Sequence, residues 1–115
     1  MSREWRLYLA DMEACCARIA EYTAKLGRED FERNRLVYDA TLRNLELLGE
    51  AARQVPEDIR AKAPEVPWRK IVAVRNILIH GYFGIDNDII WDIVTSELAP
   101  LRQALRELDV GAPRD

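Results

Sequence analysis

Arginine, asparagine, histidine and tyrosine stand together in one short stretch of this 115-residue chain, as Arg75, Asn76, His80 and Tyr82. His80 is the only histidine. These side-chain types are sufficient for cleaving an RNA phosphodiester without a metal. An imidazole can take a proton from a 2′-hydroxyl or give one to a leaving 5′-oxygen near neutral pH. A guanidinium can hold two non-bridging oxygens at once while charge builds on phosphorus. One imidazole does not readily serve as acid and base together. A two-fold homodimer that set two copies of the stretch side by side would supply two histidines and two arginines.

Other chemistries find no residues to run on. Cys15 and Cys16 are adjacent, which suits neither a stable disulfide nor a common zinc spacing, so reduced thiols and no structural metal are expected. The aspartates and glutamates are scattered over polar helix faces rather than paired as a metal site would need. There is no glycine-rich phosphate loop, Walker motif or nucleophile elbow, and no cofactor is expected. A net charge of -3 argues against a protein that coats nucleic acid electrostatically, so any RNA contact must come from a local patch.

The bland reading of the same residues stands beside the chemical one. A lone histidine is usually a packing or capping residue, and an arginine in an apolar seam usually pairs with a carboxylate from another helix. Counted at 100° per residue, Trp68, Ile71, Val72, Leu78 and Ile79 form a core-facing stripe with Arg75 in its middle. A guanidinium there is costly unless it is paired or near water. Asn76 and His80, one turn apart, share another side with Arg69. Val74 and Ile77 fill much of the rest, so the helix should be covered on two sides, by its own core and by a partner subunit. Gly81 suits the C′ position, placing His80 in the last turn, where the helix dipole favours an imidazolium.

The rest of the chain reads as the scaffold for that helix. Residues 2–26 carry apolar positions at spacings of three and four from Trp5 to Leu26, with Ser2 a candidate N-cap and Gly27 a candidate stop. A second long helix is expected from Asp30 to about Gln54, with Tyr38, Thr41, Leu45, Leu48, Ala52 and Val55 inward; Gly49 and Ala51-Ala52 would let another helix approach closely. Pro56, Pro64 and Pro67 bracket a short helix at 57–62, and Pro67 suits the first position of the motif helix. Asp86 can cap a last helix running to about Leu108, which Pro100 should kink or divide. The pattern predicts an all-α, up-and-down bundle of four long helices plus a short one, one domain over 1–110 with a frayed tail at 111–115. At 49% hydrophobic and 32% charged residues, with no run of about 18 apolar residues and no signal-like start, the chain is expected to be cytoplasmic, with no membrane partner.

The segment Arg75-x4-His80-x-Tyr82 resembles the signature of HepT-like proteins, HEPN-fold toxins encoded beside a minimal nucleotidyltransferase antitoxin. Its companions stand in order: Asp39 to Leu45 and Gly49-Glu50-Ala51 on the second helix, Val66 to Ile71, Tyr82-Phe83 and Ile90-Trp91. One departure is Gly81, where an acidic residue or asparagine is common in the family. The resemblance implies a HEPN bundle that dimerises around the motif helices and forms a composite ribonuclease site in a cleft. It makes Arg75 and His80 the catalytic pair and Asn76 a supporting polar contact. Tyr82 corresponds to the tyrosine to which the antitoxin transfers AMP, which would block RNA by bulk and charge. Glu50 and Arg43 are further cleft candidates, either able to pair with Arg75 or form an ordinary salt bridge. The alternative is a non-catalytic nucleotide- or substrate-binding subunit of a two-component nucleotidyltransferase.

Overall fold

The first helix, α1 (Glu4–Thr23), buries the stripe that its spacing predicts: Trp5, Leu9, Met12, Cys15, Cys16 and Ile19 are all inside. The structure, a computed structural model, describes residues 4–81 and 84–111; Ser2, Tyr82, Phe83 and the tail 112–115 lie outside the described residues. Seven α-helices and no strand occur among the described residues. Four of the helices are long, α1, α3 (Arg35–Gln54), α5 (Trp68–His80) and α7 (Leu98–Gly111); α2 (Arg28–Arg33), α4 (Glu57–Arg60) and α6 (Asn87–Asp92) are short. The all-α bundle is therefore as expected, with three short connecting helices where one was anticipated. Gly111 closes α7 rather than starting the tail.

The helix expected from Asp30 is broken. Asn34 is extended (φ -82°, ψ 94°), and its side-chain oxygen accepts a hydrogen bond from the Val37 amide at 3.1 Å, so it caps α3 from within the predicted helix. Gly27 does not stop α1, which ends at Thr23; it precedes α2 in extended conformation. The break lets α2 fold back so that Phe31, fully buried, meets Tyr38 and Trp91 with ring centroids 5.5 and 5.4 Å away.

The last helix is also divided, but ahead of Pro100. Residues Ile93–Glu97 form a π-helical turn in which the Leu98 amide donates to Ile93, five residues back. Widening the ladder there relieves the crowding that a proline ring imposes on the carbonyl four residues earlier. Asp86 caps α6 as expected, its carboxylate accepting from the Asp88 amide at 2.8 Å.

Helix α3 is the centre of the bundle, packed on α1 along one side and α5 along another, while α7 closes on α1. Thr41, Leu45, Leu48 and Ala52 of α3, and Val55 at its C-cap, are buried with Ile71 and Leu78 of α5 and Leu101, Leu105 and Leu108 of α7. Burying each of the larger side chains contributes about 1.5–3 kcal/mol. Ionic contacts hold α1 to α7 at the rim: Arg6 pairs with Asp109 at 2.8 Å, and Glu13 meets both Arg106 at 2.6 Å and Arg102 at 3.7 Å.

Candidate active site

Helix α5 is anchored at its start and open at its end. Trp68 is buried and donates its indole N–H to the Ala63 carbonyl at 3.2 Å, and Lys70 reaches Glu97 of the π turn at 2.7 Å. Midway, Gly49 of α3 lies against Arg75. At the far end, His80 is exposed and Gly81 closes the helix with its amide on the Ile77 carbonyl at 2.7 Å. Gly81 has φ -117° and ψ 36°, so no left-handed residue is needed there.

The burial pattern on α5 is narrower than its sequence suggested. Trp68, Ile71 and Leu78 are inside, but Ile79, expected in the core stripe, is 39% exposed, and Ile77 is 52% exposed. Ala73, Asn76, Ile77, Ile79 and His80 thus form an uncovered face in which apolar and polar residues alternate around the only imidazole. The expectation that the helix is covered on two sides is therefore met on one side only within a single chain.

Arg75 sits at the edge of that face, its side chain 23% exposed, and its partner is one of the two candidates named from sequence. Nε of Arg75 stands 2.9 Å from Oε2 of Glu50 on α3. Both atoms are closed to solvent, yet neither has an aligned hydrogen bond, so the contact is an ion pair whose N–H does not point squarely at the oxygen. Nη1 of Arg75 donates to Oδ1 of Asn76 at 3.3 Å. The other oxygen of Glu50 accepts from Arg53 at 3.0 Å and from Gln54 at 3.4 Å. The Arg53 bond, aided by Gln54 and the charges of Arg53 and Arg75, holds the Glu50 carboxyl below its usual range against the opposing pull of burial. Arg43, the other candidate, makes no such contact: it pairs with Glu46 on its own helix at 3.1 Å and stays exposed.

Arg75, Asn76 and Glu50 are therefore brought together, and His80 is presented on the neighbouring exposed face of the same helix. Five residues apart, Arg75 and His80 lie about 140° apart around the helix axis. α5 runs unbroken through His80, so an unwound last turn does not bring them together. Tyr82 lies outside the described residues. Among the described residues, no three His, Cys, Asp or Glu side chains converge as metal ligands, and no helix is long and apolar enough to cross a membrane.

Sequence reasoning missed the involvement of Arg53 and Gln54. Their one signal was position, one turn beyond Glu50 on the same helix.

An all-α bundle carrying a half-buried arginine and an exposed histidine on one helix is the class that fold and site define. The family description Ribonuclease HepT-like matches residues 12–108. Over 101 residues the chain is 37% identical to a ribonuclease candidate of Methanocaldococcus jannaschii, covering 88% of this chain and 93% of that one. It is 34% identical over 108 residues to a HepT ribonuclease candidate of Thermococcus cleftensis, covering 94% and 98% respectively. A ribonuclease candidate of Caldanaerobacter subterraneus subsp. tengcongensis is 34% identical over 103 residues, with 90% and 92% covered. No solved structure matches at a comparable level. The chain belongs to the HepT-like ribonuclease family, and a ribonuclease-type function follows from that membership.

Proposed function

We propose that the protein is the toxin of a toxin–antitoxin pair, a metal-independent endoribonuclease whose site is completed across a homodimer. The observation that carries this reading is the face of α5: His80 stands exposed among Ala73, Ile77 and Ile79, apolar side chains that a second copy would cover. Pairing two such faces about a two-fold axis supplies two imidazoles, one to take the proton of the 2′-hydroxyl and one to protonate the leaving 5′-oxygen. Arg75, backed by Glu50, holds the non-bridging oxygens, and Asn76 supports it.

Restraint of such an enzyme falls to Tyr82, two residues after His80. A cognate nucleotidyltransferase would transfer AMP from ATP to its hydroxyl, with the tyrosyl oxygen bonding the α-phosphorus and pyrophosphate leaving, and so place negative charge and bulk where RNA enters. The resemblance of the motif to the family signature supports this assignment.

Purified chain incubated with RNA in EDTA tests the catalytic half. The expected result is cleavage that leaves 2′,3′-cyclic phosphate ends and is lost in His80→Ala and Arg75→Ala while both variants stay folded. Inert wild-type protein would favour the binding-subunit reading. Incubation with the partner and ATP tests the other half. One or more AMP masses should appear on wild-type protein and none on Tyr82→Phe.

A further inference from the structure

We infer that Glu50 is the positioning residue for Arg75, holding the Nε edge of the guanidinium against α3 so that its terminal amino groups are the ones left to meet a phosphate. The inference rests on the reading of Arg75 as the phosphate-holding group and names what aims it.

Three features of the geometry carry it. The Glu50 carboxylate is itself held: Oε1 accepts from Arg53 and Gln54, one turn further along α3, which fixes the direction in which Oε2 points. Oε2 then meets Nε of Arg75 at 2.9 Å, with both atoms closed to solvent. Water therefore completes neither atom, unlike in a surface ion pair. Gly49 lets α5 come close enough for the pair to form.

A guanidinium offers five N–H donors in a planar fork. With Nε turned to Glu50 and one donor of Nη1 given to Asn76, three remain on the terminal nitrogens. Two parallel N–H groups on that edge match two oxygens of a phosphate. The Nε–H does not yet point squarely at Oε2. Such contacts in an empty site commonly tighten only when the ligand engages. An anion drawing on the terminal amino groups would seat the guanidinium and straighten the Nε–H bond.

A rival role, merely tying α3 to α5, predicts different data. Lysine keeps the charge of Arg75 but has no Nε and no fork. Glu50→Gln, Arg75→Lys and the double variant would be compared for RNA cleavage in EDTA and for thermal unfolding. If Glu50 aims the fork, Glu50→Gln lowers kcat by roughly ten- to a hundredfold, the scale of misplacing a reacting group by about 1 Å. KM moves far less, and the effect vanishes in the Arg75→Lys background. An equal loss of activity in both backgrounds, or a fall in Tm with kcat unchanged, overturns the assignment.

A second readout needs no catalysis. The Nε–H resonance of Arg75, identified by its loss in Arg75→Lys, should exchange slowly with water in the wild-type chain and fast in Glu50→Gln. Equally fast exchange in both overturns the assignment even if the protein cleaves no RNA. A protected Nε–H on an inert protein would count against the ribonuclease reading while leaving the geometric assignment standing.

Discussion

Gly49 and Arg75 meet where α3 passes α5: a Cβ at position 49 would stand 2.4 Å from the Cβ of Arg75 and 3.0 Å from the Ile71 carbonyl oxygen. The atoms it would strike are the root of a side chain and a helix backbone, neither of which can swing away. The absence of a side chain at one residue thus sets how closely the arginine's helix approaches the carboxylate at Glu50.

Gly49→Ala should therefore destabilise the protein although alanine favours helices. The gain in helix propensity is about 1 kcal/mol. Overpacking at a close helix contact costs about 1–3 kcal/mol. The net loss should appear as a lower midpoint in urea, with RNA cleavage falling further than the folded fraction. An unchanged midpoint would mean that α5 shifts freely.

Glu50 should remain ionised throughout the neutral range. Its folded-state pKa lies below its ordinary value, so its pairing with Arg53 and Arg75 contributes fully above about pH 4.5 and is lost only as pH falls through the depressed folded value. Titration followed by the Glu50 side-chain carboxyl carbon signal should show no inflection between pH 5 and 8. A bend in the activity profile in that window then belongs to another group.

Cys15 and Cys16 should be inert in the native protein. Burial pushes the Cys15 thiol up, and burial, with the adjacent Cys15, pushes Cys16 up to about 12. Almost no thiolate exists at pH 8, so a disulfide reagent should label neither residue until denaturant is added. Rapid stoichiometric labelling of folded protein would contradict the placement of α1 in the core.

Arg60 should matter for stability out of proportion to its exposure. Its Nε donates to the Val55 carbonyl at 2.9 Å and its Nη2 to those of Ala52 and Arg53 at 3.0 Å each, closing the C-terminal end of α3. Arg60→Ala should lower unfolding free energy by about 1–3 kcal/mol. Denaturant titration reads this directly, and a loss within error of zero would show that water replaces the cap without penalty.

The long helices were legible because each buries one regular stripe, and period is what a sequence displays most openly. The break at Asn34 was not, since α2 and α3 carry a continuous helical composition and the cap depends on one side chain bonding the Val37 amide. The π turn at Ile93–Glu97 left only Pro100 as a hint, because widening one turn barely disturbs the spacing of apolar residues. At the site, Arg75 was marked by its misfit within an apolar stripe, yet which carboxylate meets it became visible only from the approach of α3 to α5, which brings Glu50 to it. Ile79 was misplaced because the core of α5 is narrower than its apolar arc: residues apolar in type are left bare around His80.

The composite site makes one quantitative demand. Wild-type and His80→Ala chains, unfolded together and refolded at varying ratio, would distribute at random between dimers. If each site needs an imidazole from both subunits, RNA cleavage in EDTA falls as the square of the wild-type fraction, to about one quarter at equal mixing. A linear fall, to about one half, or a protein that remains monomeric while cleaving, would contradict a site shared across the two-fold axis.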